Sequence, residues 1–100
     1  MKPVVVHSLA AREIRESIDY YNGVRDGMGD KFSTVVERAL KNIGRSPKAS
    51  SPYPGGYRKF VLRRPFPYCI FYLQYEDRVW IAAVYHSSRE PDGWKKRRPE

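Results

Sequence analysis

The chain has 100 residues, of which 41% are hydrophobic, 30% charged and 14% aromatic, and it carries a formal net charge of +8. This length predicts one domain over residues 1–100, with a core at about residues 3–91 and a basic tail at 92–100, because a domain of this size buries roughly two-thirds of its unfolded surface. Cys69 is the only cysteine, which excludes an intrachain disulfide and a thiolate metal cluster, and no apolar run approaches the ~18 residues of a membrane span; the expectation is a cytoplasmic protein with no metal, cofactor or membrane partner, attracted to something acidic.

Pro3-Val4-Val5-Val6-His7 is a β-branched run with its proline at the start, where a missing N–H is tolerated, and reads as the first strand. Ser8 is placed to cap the helix that follows, in which Ala10, Ile14, Ile18 and Tyr21 form one apolar stripe, and Asn22-Gly23 is a stop signal. Phe32, Val35, Val36, Ala39, Leu40 and Ile43 then recur at helical spacing up to Gly44, the strongest periodic signal in the chain. The short link between the two predicts a helical hairpin. Arg45 to Gly56, rich in Ser, Pro and Gly, reads as a loop.

Tyr57 to Glu90 holds most of the aromatic and β-branched residues and divides into three strands, Tyr57–Arg64, Tyr68–Tyr75 and Val79–His86. In the second, Cys69, Phe71 and Leu73 fall on one side and Tyr68, Ile70, Tyr72 and Gln74 on the other, the period of two that a strand imposes. The third is apolar at almost every position, as in a strand covered on both faces. Pro65 and Pro67 interrupt the ladder and Glu76-Asp77 has hairpin length, so the strands form an antiparallel meander. The order β-α-α-β-β-β predicts a two-layer α+β domain, a mainly antiparallel sheet packed on the helical hairpin.

The charge is uneven. Arg58, Lys59, Arg63 and Arg64 lie between Tyr57 and Tyr75 with no acid among them, and the chain ends in Trp94, Lys95, Lys96, Arg97 and Arg98. These are the candidate residues for a macromolecular partner, the tail contributing an indole for apolar contact and a run of cations. His86 is the side chain near the end of the last strand whose ordinary pKa suits acid–base chemistry. His7, Cys69 and most of the tyrosines sit at strand or stripe positions and read as packing.

Several stretches in order resemble the RelE/ParE superfamily of toxins from type II toxin–antitoxin systems: Asp19-Tyr20-Tyr21-Asn22 at the end of helix 1, Gly29-Asp30-Lys31-Phe32 at the start of helix 2, Tyr57 to Leu62 through Phe66-Pro67-Tyr68-Cys69-Ile70-Phe71-Tyr72, and Val84-Tyr85-His86-Ser87-Ser88-Arg89-Glu90-Pro91 with Trp94 and Arg97. The resemblance runs from Pro3 to Arg97 and implies a first strand lying beside the last. It also implies a cognate antitoxin, acidic and folding on binding. Its two branches differ in target: RelE-like members cut mRNA in the ribosome, and ParE-like members poison DNA gyrase.

A nuclease would draw here on Arg89, which matches a C-terminal arginine of the nucleases, on Arg58 as a basic residue of the second strand of the chain, and on His86 for acid–base work. Cys69, however, stands directly after the strand tyrosine where RelE-like nucleases commonly carry arginine, and Trp94 stands roughly where a catalytic tyrosine occurs, although an indole cannot shuttle a proton. The reading therefore favours the ParE-like branch, a gyrase inhibitor rather than an enzyme. The alternatives are a ribosome-dependent mRNA endoribonuclease and a non-toxic basic nucleic-acid-binding module.

Overall fold

The computed structural model describes residues 1–90 and 92–100. Strand β1 (Val4–Val6) leads into helices α1 (Ser8–Val24) and α2 (Met28–Arg45), then a 3-10 turn at Pro47–Ala49, strands β2 (Ser51–Tyr53), β3 (Tyr57–Val61), β4 (Tyr68–Gln74) and β5 (Val79–His86), and a 3-10 turn at Gly93–Lys96. The sheet order is β1-β5-β4-β3-β2, with β1 parallel to β5 and every other pair antiparallel. The two-layer α+β architecture, the helical hairpin and the meander are as the hydrophobic periods predict, and the first strand lies beside the last.

The helices cover one face of the sheet through Ala10, Phe32, Val36, Ala39 and Ile43, which meet Ile70, Tyr72, Val79, Ile81 and Val84. At one end of this core Tyr21, Phe32, Phe66 and Tyr68 pack ring against ring at 4.8–6.2 Å, the tilted and edge-on contacts that aromatic quadrupoles favour. Burial first, and then the neighbouring Tyr68, push the Tyr21 hydroxyl up to about 12, so it stays protonated at neutral pH. Leu40, placed in the helix stripe by its spacing, is only half-buried at the margin.

The helix ends differ from their sequence signals. His7, not Ser8, caps α1: its Nδ1 accepts the Leu9 N–H at 3.0 Å. Asn22-Gly23 does not stop α1, which runs on to Val24; the Asn22 carboxamide instead accepts the Gly29 N–H at 2.7 Å and holds the start of α2. Gly29 lets the two helices touch, since a Cβ there would collide with the Ile18 carbonyl and the Asn22 side chain. Gly44 likewise lies inside α2, where a Cβ would stand 3.1 Å from the Lys2 carbonyl and from Val4.

The stretch read as a loop, Arg45 to Gly56, contains an additional strand, β2. β2 pairs with β3 through Ser51↔Lys59 and Tyr53↔Tyr57 across a Pro54-Gly55-Gly56 turn, whose glycines take φ of +94° and +83°, a region costly for other residues. With three residues and a proline, β2 shows no period from which to read a strand. The Tyr72 hydroxyl donates to the Pro47 carbonyl at 2.6 Å and ties the segment down. β3 ends at Val61 rather than Arg64. No helix of the described residues is long and apolar enough to cross a membrane.

Phe32→Ala is expected to destabilise the fold by about 3–5 kcal/mol, as for a large ring removed from a packed core, and Leu40→Ala by less than about 2 kcal/mol because its side chain is already half in water. Denaturant melts of the two variants check the order; equal losses would mean that the stripe does not point where the packing places it.

Candidate functional site

The second face of the sheet carries its own small core, and the C-terminal segment builds it. Trp94 is fully buried there, stacked on Phe71 at 4.6 Å and edge-on to Tyr57 at 4.7 Å, with Cys69, Trp80 and Tyr85 in the same cluster. The sequence marks Trp94 as an apolar contact for a partner; its indole is instead spent on packing, and its buried Nε1 donor has no acceptor among the described residues. Burial also raises the Cys69 thiol above its ordinary value, leaving it protonated and inert.

Three residues on, the chain is tied to α1. The Glu13 carboxylate accepts two bonds from the Arg97 guanidinium, at 2.8 and 3.0 Å, and both side chains are only 11–12% exposed. Arg97 also donates to the Ala82 carbonyl at 2.9 Å, and Glu13 accepts the Val84 N–H at 3.2 Å. Hydrogen bonding to Glu13 holds the Arg97 proton more tightly than usual despite burial. Arg97, expected to face a partner, is therefore part of the fold. Glu13 is the residue whose importance sequence reasoning misses; on a helix surface it reads as one charge among many, and its partner lies 84 residues away.

His86 ends β5. Its Nδ1 accepts the Ser88 N–H at 3.0 Å, with the Ser88 hydroxyl 2.7 Å away, and its ring stands edge-on to Tyr68 at 5.2 Å. With Nδ1 accepting, the neutral ring carries its proton on Nε2. His86, Arg89, Arg97, Glu13, Tyr20 and Tyr68 line a groove of about 450 Å³ between α1 and the end of the sheet. Arg89 reaches Glu13 at 3.1 Å and lies 3.8 Å over the Tyr85 ring, so its charge is half-spent on the same carboxylate.

Arg58 does not join them. It sits on β3 opposite Tyr72, two strands from His86, and donates to the Ser50 and Lys48 carbonyls at 2.7 and 3.2 Å. Of the other cations marked by the sequence, Arg63 and Arg64 are exposed in the β3–β4 connection and Lys59 is half-buried. Lys95 pairs with Asp92 at 3.6 Å and lies over Tyr53, while Lys96 and Arg98 are exposed, Arg98 donating only to backbone carbonyls. Pro91 lies outside the described residues. Among the described residues no group of three His, Cys, Asp or Glu side chains is placed to hold a metal ion.

The tail ends by capping α1. Glu100 accepts the Ser8 N–H at 2.8 Å and the Ser8 hydroxyl at 2.5 Å, 3.9 Å from the His7 Nε2, so a carboxylate completes the helix start at its positive end. The Ser8 hydroxyl and then its N–H hold the Glu100 carboxyl below its ordinary range.

A family model for the ParE toxin of type II toxin–antitoxin systems, parDE, matches residues 4–91. Toxin ParE2 from two strains of Mycobacterium tuberculosis is 28% identical over 88 residues, covering 87% of this chain and 83% of that protein. Among solved structures, a chain of the chromosomal ParDE toxin–antitoxin system from P. aeruginosa superposes with a TM-score of 0.75 over 86% of this chain and 96% of that one; at 16% identity the likeness is one of fold.

Glu13→Ala is expected to cost about 3–5 kcal/mol by leaving the Arg97 guanidinium nearly buried and unpaired, whereas Glu16→Ala, which breaks only an exposed pair with Arg12, is expected to cost less than about 1 kcal/mol. Denaturant melts of both check this. Because the folded value of Glu100 is lowered, its contact with Ser8 is in place above the ordinary carboxylate range and is lost as pH falls through that lowered value. The Ser8 amide should accordingly lose hydrogen-exchange protection in acid ahead of the α1 interior, and Glu100→Gln should flatten that pH dependence.

Proposed function

We infer the activity from what the family match establishes: the chain belongs to the ParE toxin family of type II toxin–antitoxin systems, and such a toxin has a cognate antitoxin partner. On this reading it arrests growth by inhibiting DNA gyrase, and an acidic antitoxin that folds on binding neutralises it. One observation carries the choice of gyrase over mRNA. The three residues named for a nuclease do not converge, because Arg58 is held by loop carbonyls two strands from His86 and the charge of Arg89 is shared with Glu13, although Lys59 lines a small pocket with His86 and Arg89. Cleavage by 2′-OH attack needs a base, an acid and cations converging on one phosphate, and of the cations that share a pocket with His86, Arg89 and Arg97 are both paired with Glu13.

Target contact then falls to cations that the fold does not use, Arg63 and Arg64 at the β3–β4 connection and Lys96 and Arg98 on the tail, while Arg58, Trp94 and Arg97 act by supporting the surface around them. Shortening the chain before Trp94 is a poor probe, since it strips the second core. Lys96→Glu with Arg98→Glu reverses charge on exposed side chains and leaves Trp94 and Arg97 in place.

Purified chain is expected to block supercoiling by gyrase, and expressing it should raise double-strand breaks while transcripts stay intact. The double reversal should weaken inhibition by roughly tenfold or more, most at low salt, and His86→Gln should leave it unchanged. Growth arrest that His86→Gln abolishes, with mRNA cut in the ribosome, would replace this reading with the nuclease one.

A further inference from the structure

We propose that the outer edge of β1 pairs with the same edge of a second copy of this chain, joining the two sheets across a two-fold axis at Val5.

β1 stands at one end of the sheet order and has a neighbour on one side only. Pro3 accepts the Val79 N–H at 2.9 Å and His7 donates to the Ile81 carbonyl at 3.0 Å, so Pro3, Val5 and His7 turn their backbone groups toward β5. Val4 and Val6 turn theirs outward, and among the described residues no strand or side chain meets them there. Lys2, next along, spends its N–H on the Gly44 carbonyl of α2, which confines the open lane to those two residues. Unpaired groups of this kind are a template for another strand.

The surroundings of the edge match their own two-fold image. Antiparallel pairing centred on Val5 sets Val4 of each copy against Val6 of the other, each pair exchanging both of its N–H···O bonds. Val5 lies opposite Trp80, on the sheet face away from the helices, and is 46% exposed; at the axis it meets Val5 of the second copy. The same rotation carries Met1, 83% exposed, toward Leu9 of the other copy, 41% exposed.

Charge follows the same symmetry. At one end of the strand Lys2 donates to the Tyr75 carbonyl at 2.7 Å and keeps further donors, and at the other end the Glu100 carboxylate sits on Ser8. Lys2 and Ser8 fall opposite each other about Val5, so Lys2 of each copy faces Glu100 of its mate, a charge-assisted contact. An acidic strand or a nucleic-acid backbone would find a single lysine here, with Glu76 and Asp77 in the hairpin beyond Tyr75 and Glu100 at the far end. A second copy supplies both signs of charge where they are needed. The paired edge is short and each copy carries a net charge of +8, so the dimer is weak, with a dissociation constant on the order of micromolar.

Sedimentation equilibrium of the full chain alone is expected to show a monomer–dimer equilibrium, and the Val4 and Val6 amides should gain protection from hydrogen exchange as concentration rises. Val5→Lys sets like charges face to face at the axis and should raise the dissociation constant by roughly tenfold or more, while Val5→Thr should stay close to wild type. Lys2→Glu and Glu100→Lys should each weaken the dimer, and the two together, which restore opposite charges across the axis, should recover it. Circular dichroism and a melt confirm that each variant is folded. A wild-type chain that stays monomeric at every concentration, or a dimer that Val5→Lys leaves intact, would overturn the proposal. Protection of Val4 and Val6 that appears only when the antitoxin is added to a monomeric chain would assign the edge to that protein and overturn it as well.

Discussion

β5 is longer than the strand that covers it, and the fold depends on how that excess is closed. β1 supplies three residues, opposite Val79, Trp80 and Ile81, and the chain then leaves the sheet into α1. Beyond Ile81 the β5 backbone faces the helix with no strand to bond to, and buried peptide groups left unpaired are costly. Glu13 and Arg97 fill the gap as a side-chain substitute for a strand, the carboxylate accepting at Val84 and the guanidinium donating at Ala82. They also satisfy each other. The same two residues therefore seal the sheet, fix α1 to it and anchor the C-terminal segment.

That anchor explains why the second face of the sheet can be apolar. β4 and β5 are buried on both sides although only one side meets helices. The other is closed by a single turn carrying Trp94 onto Phe71 and Tyr57, held by Arg97 on one side and Glu100 on the helix start beyond. Ala82 lies at the bulge where the β4–β5 register shifts by one, and both it and Ala83 belong to this second cluster. A basic tail that looks detachable in sequence is thus a structural layer, and its cations divide into one that builds the fold and others left on the surface.

Elements with a long period were legible in the sequence, and elements fixed by one distant contact were not. The α2 stripe and the two-sided apolar character of β4 and β5 set the layers, because burial repeats along them. Asn22-Gly23 has the composition of a helix stop, but Asn22 gains more by capping α2 across the hairpin than by ending α1, and nothing local reveals that the acceptor is needed seven residues on. β2 is hidden by its length and its proline. At the candidate site Arg58, Trp94 and Arg97 stand out in the sequence as basic or aromatic, and each is bound inside the fold by partners that sequence proximity does not suggest.

The division of the cations also sets where positive charge remains on the surface. With a net charge of +8 on 100 residues, every cation absorbed by the fold is one fewer available to a partner, and the groups absorbed lie around Glu13 and the tail. Arg38, Arg45 and Arg63, which have no salt bridge among the described residues, line two hollows between α2 and β3. Across β4, Lys59 of β3 instead lines one pocket with His86 and Arg89 at the end of β5.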